Sequence, residues 1–83
     1  MEKFVFKPKG VCSRKMEFEI EDGKLASLSV EGGCNGNLQG ISSLVKGKDI
    51  DEVISCLEGI ECHPRKTSCP DQIAKALREF QTR

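Results

Sequence analysis

Tryptophan and tyrosine are missing from the chain, and aromatic residues, all phenylalanine, make up only 5% of it. A core built from this palette is mostly aliphatic, with four phenylalanines as its largest pieces. Long apolar runs are missing too. Nothing approaches the roughly 20 residues that span a bilayer, and the N-terminal MEKFVFKPKG lacks the apolar stretch of a signal peptide. Neither charge is in surplus: 13 basic and 13 acidic side chains give a formal net charge of zero. That balance speaks against a dedicated nucleic-acid binder, which carries a basic excess. Repeats, linkers and low-complexity tracts are absent as well. The expectation is one domain over residues 1–83, located in the cytoplasm.

Cysteine, by contrast, is plentiful: five residues, Cys12, Cys34, Cys56, Cys62 and Cys69. In a reducing compartment, metal binding or redox chemistry explains them better than structural disulfides. An odd count also leaves at least one without a partner. A domain this short buries only about 60% of the surface its unfolded chain exposes, so its core is marginal and a staple such as a metal is useful.

The segment KMEFEIEDGKLASLSVEGG carries the clearest pattern. Met16, Phe18 and Ile20 alternate with Lys15, Glu17 and Glu19, the period of a half-buried strand. Asp22-Gly23 supplies a two-residue hairpin turn, and Ala26, Leu28 and Val30 continue the apolar face on the return strand. A short strand at FVF places Phe4 and Phe6 on one face. After Gly36 the period becomes helical: Leu38, Ile41, Leu44 and Val45 form one stripe, closed by Gly47. Asp49 or Asp51 caps a second helix with Ile50, Val53, Ile54 and Leu57 inward, stopped at Gly59. HPRKTS is a loop, and a last helix from about Pro70 to Phe80 turns Ile73, Ala74, Leu77 and Phe80 inward. Strands followed by helices predict an α+β domain: a three-stranded antiparallel sheet with three helices packed on one face.

On this plan Cys12, Cys34, Cys62 and Cys69 fall at junctions between elements. Pro70 fits the first turn of a helix, which puts Cys69 or Ser68 at its N-cap, where unpaired amides and the helix dipole favour a thiolate. Cys34, in GGCNGN, adjoins another helix start beside glycines that would let a ligand approach. Cys56 lies mid-helix and reads as a buried structural thiol. With no C-x-x-C pair, any metal site has to be assembled by the fold. His63, the sole histidine, reads as a solvated loop residue, with a ligand or proton-transfer role as the sharper alternative. Glu17 and Glu19 read as a solvated strand face, KGK and PRK as solubilising clusters, and the GGCNGN glycines lack the lysine of a phosphate-binding loop.

Taken together, GVCS, EFEI, DG, GGCNGNLQGIS and TSCPDQIAKAL resemble the TSCPD domain over nearly the whole chain. That family occurs as small free-standing proteins and as a C-terminal module of cobalamin-dependent ribonucleotide reductases. The resemblance places its characteristic cysteines on Cys12, Cys34, Cys62 and Cys69 and leaves Cys56 outside the set. The layout is also similar to NifU/IscU-type iron–sulfur scaffolds, with Cys12, Cys34 and Cys69 in matching places and GKDIDEV resembling their GKT-x-x-E stretch. The chain departs from those scaffolds in carrying Arg14 two residues after the first cysteine and Ser68 before the last.

Three functions compete. The first is a metal-binding module in which Cys12, Cys34, Cys62 and Cys69 hold zinc, at about 2.3 Å, or an iron–sulfur cluster. The resemblance adds an accessory role in ribonucleotide reduction, with a reductase or a redox protein as partner. The second is ribonucleoside-diphosphate reduction itself, for which 83 residues are too few to house a radical generator, a thiyl barrel and a nucleotide pocket. The third is metal-free thiol chemistry, with Cys62 and Cys69 forming a reversible disulfide.

Overall fold

The computed structural model describes residues 2–33 and 35–82. It contains strands β1 (Glu2–Phe6), β2 (Ser13–Glu21) and β3 (Lys24–Gly32), then helices α1 (Asn35–Val45), α2 (Ile50–Leu57) and α3 (Cys69–Thr82). The strands form one antiparallel sheet in the order β1-β2-β3. This is the α+β arrangement that the order of periodicities predicts.

Alternation along β2 works as expected. Met16, Phe18 and Ile20 are buried, while Lys15, Glu17 and Glu19 stay accessible on the opposite face. The turn residues Asp22 and Gly23 both adopt positive φ, 53° and 74°, as a two-residue turn matching the strand twist requires. The return strand departs from simple alternation. A register shift between Glu19 and Ile20 sets Ile20 against Leu25 and Glu19 against Ser27. Ala26 is the extra residue of this bulge, so Leu25 rather than Ala26 enters the core beside Leu28.

The helices cover the apolar face. Val45, Ile50, Val53, Ile54, Ile73, Ala74 and Leu77 pack with the β2 and β3 residues into one cluster, and Phe4, Phe6, Ile41, Leu57 and Phe80 close its edge. Phe4 stacks between Phe18 and Phe80, at centroid distances of 4.6 and 5.1 Å. Leu44 leaves the α1 stripe and is 72% exposed. It lies about a quarter-turn from the face set by Leu38, Ile41 and Val45 at 100° per residue. Helix α2 starts at Ile50 with Asp49 in the cap position, although the Asp49 side chain makes no capping bond. Its first turn is held by Ile50 N–H to the Gly23 carbonyl (3.0 Å), and Asp51 and Glu52 complement the helix dipole. No described helix is long and apolar enough to cross a membrane.

Candidate functional site

The pentapeptide Thr67-Ser68-Cys69-Pro70-Asp71 builds the start of α3, and each residue has a distinct task. Ser68 is the N-cap: its Oγ accepts the Asp71 amide (3.1 Å) and donates to the Ile60 carbonyl (2.6 Å). Cys69 is thereby the first helical residue and Pro70 the second, a place where a missing N–H costs nothing. The Asp71 carboxylate accepts the Gly59 amide (2.7 Å) and the Thr67 hydroxyl (2.5 Å), pinning the loop that leads from α2.

The buried Gln72 extends this frame. It donates to Thr67 Oγ1 (3.0 Å) and accepts the Lys9 amide (3.2 Å), tying the connection before β2 to the start of α3. Cys12 ends that connection. Ser13, the next residue, is buried and sets its Oγ 3.3 Å from Cys69 Sγ. The chain leaving β3 also packs here: Gly33 has φ +76°, and a Cβ on it would lie 2.9 Å from Leu38 and 3.3 Å from the Ser13 backbone. Gly33 therefore serves close backbone packing, not ligand approach.

Cys62 lies on a tight turn, with a cis His63–Pro64 bond, closed by Arg65 N–H to the Cys62 carbonyl (2.8 Å). The Arg65 side chain reaches across to Cys12, its Nη1 donating to Sγ at 3.3 Å. Arg65 is held above the ordinary guanidinium range, first by that hydrogen bond and then by electrostatic attraction to the sulfur of Cys12 and, more weakly, of Cys62 and Cys69.

These contacts surround one cavity of about 100 Å³, lined by Cys12, Leu38, Cys62, Arg65, Cys69 and Pro70 among others. Three larger hollows, about 330, 370 and 280 Å³, lie over the open sheet face, along β3 and α1, and between β1 and the end of α3. None is lined by a described cysteine or histidine. Three of the cysteines that sequence reasoning singled out thus line the same space. Cys34 lies outside the described residues. Cys56 is exposed, not buried, because it sits roughly 100° from the centre of the α2 stripe. His63 is exposed and does not line the cavity.

Among the described residues, no group of three or more His, Cys, Asp or Glu side chains stands in a metal-holding arrangement. The donor chemistry nevertheless fits a soft metal, since the cavity gathers thiols from separate segments and includes no carboxylate. Sequence reasoning missed Ser13, Arg65 and Gln72. By sequence Arg65 belongs to the solubilising PRK cluster, and only the fold reveals its contact with Cys12.

No curated protein and no solved structure matches the chain. A protein-family model does match, that of the TSCPD domain, over residues 2–81. The chain belongs to the TSCPD domain family.

Proposed function

We propose that this domain is a thiolate metal-binding module, accessory to ribonucleotide reduction, with Cys12, Cys34, Cys62 and Cys69 as ligands. The observation that carries the reading is the convergence of Cys12, Cys62 and Cys69, from three separate segments, on one small cavity. Sulfur donors of this kind select zinc or iron–sulfur centres over hard cations. Zinc would supply a closed cross-link for a small core, and a cluster would supply an electron carrier. The protein's own part is to present the thiols: Ser68 and Asp71 fix the turn of Cys69, Gln72 holds the Cys12 connection against α3, and binding releases the thiol protons. The link to ribonucleotide reduction rests on family membership.

The test is elemental analysis and an absorption spectrum of untagged protein purified without oxygen. Zinc at about one per chain without colour supports a structural site, and iron with sulfide and broad visible absorption supports a cluster. No metal, with a Cys62–Cys69 disulfide forming on oxidation, would replace this reading by thiol redox chemistry.

A further inference from the structure

Arg65 is the one charged side chain among the described residues lining the cysteine cavity. No described carboxylate pairs with it. Its backbone closes the turn that carries Cys62, and its guanidinium spans to Cys12, 53 residues away in sequence. The side chain is exposed and belongs to no part of the core, so packing does not explain its placement.

We propose that Arg65 is the outer-sphere cation of the thiolate site, a positioning residue that fixes Cys12 and balances the ligands' negative charge without touching the metal. The inference rests on the metal-binding reading above. Several thiolates around a divalent ion leave an excess of negative charge. A sulfur bound to metal keeps lone pairs that accept an N–H, so the Arg65–Cys12 bond is compatible with a loaded site. Guanidinium suits the role because it stays charged and is more weakly hydrated than an ammonium. The turn at 62–65 also couples two ligands, since whatever holds the Arg65 side chain on Cys12 holds the Cys62 backbone beside it.

The test is an anaerobic titration of the full-length apo protein with Co²⁺, read by thiolate-to-cobalt absorption, followed by displacement with Zn²⁺. It compares wild type, Arg65→Gln and Arg65→Lys. The expected result is cobalt affinity about tenfold weaker in Arg65→Gln, the usual scale for losing an outer-sphere partner. Arg65→Lys should fall between the two, and the apo melting curve should be the same in all three. Equal affinity in wild type and Arg65→Gln overturns the proposal, and tighter binding in Arg65→Gln would make Arg65 a rival of the metal for Cys12. A lowered apo melting temperature in both variants would make Arg65 a structural residue instead. Wild type that takes up no cobalt overturns the divalent-metal form of the metal-binding reading together with this one, whereas uptake independent of residue 65 overturns this one alone.

Discussion

The two ends of this small domain are held by different forces. At the helix-covered end, Phe18, Leu25, Val53, Ile73 and Leu77 are essentially inaccessible and pack as one apolar cluster. At the other end, Cys12 and Cys62 are exposed. There the loops are fastened by Ser68, Asp71 and Gln72, each bonding to backbone atoms of another segment. Apolar burial is non-directional and contributes most of the stability. Directional hydrogen bonds contribute less but fix positions, which is what a set of converging sulfurs requires. The contrast suggests a division of labour, with the core supplying stability and the TSCPD segment supplying geometry.

The largest break in that comparison is Leu77→Ala. It opens a void under the sheet and should cost about 3 kcal/mol, read as a lowered urea midpoint. Both ends should fail together, because α3 carries Cys69 as well as Leu77. If the cysteine loops kept their hydrogen-exchange protection while the core melted, the two ends would not share one cooperative unit.

Ser68→Ala separates the ends more finely. Loss of the cap and of the Ile60 contact should cost about 1–2 kcal/mol. Faster hydrogen exchange should be concentrated in residues 59–71, with the strands little affected. Uniformly faster exchange through the sheet would contradict a local role.

The smallest effect belongs to the α2–α3 surface, where Arg78 binds both carboxylate oxygens of Glu58. That hydrogen bond is the main reason the Glu58 carboxyl is held below its ordinary value of 4.5. A lowered folded-state pKa contributes stability above the unfolded value and loses it as pH falls through the folded one. Glu58→Gln should therefore lower the melting temperature slightly near neutral pH, and the gap should fade on acidification below about 4.5. A gap independent of pH would mean that the charge of Glu58 is irrelevant. Both partners are accessible, so the effect is expected to be near the detection limit.

The same contrast decides what could be read from the sequence. The hairpin, the helix order and most of the core were legible because burial imprints a period on neighbouring residues, as at Met16, Phe18 and Ile20. Ala26 and Leu25 exchanged places because a bulge changes the phase within one strand, and alternation alone does not mark it. Leu44 has apolar character but the wrong angle on α1, and Cys56, three residues after Val53 and next to Leu57, still falls outside the buried stripe of α2. At the cysteine end the junction positions of Cys12, Cys62 and Cys69 were visible in the sequence. Their polar supports were not. Ser13 to Cys69, Lys9 to Gln72 and Cys12 to Arg65 are contacts across 56, 63 and 53 residues, and no local pattern encodes them.

The most direct test of the account is the metal content of Cys69→Ser beside Cys56→Ser, both purified without oxygen and compared with wild type. The account predicts that Cys56→Ser retains the wild-type stoichiometry, because that thiol faces solvent on α2. Cys69→Ser should lose the metal and melt at a lower temperature, because that sulfur lines the cavity. Equal content in all three proteins, or a loss confined to Cys56→Ser, would contradict a site built at the start of α3.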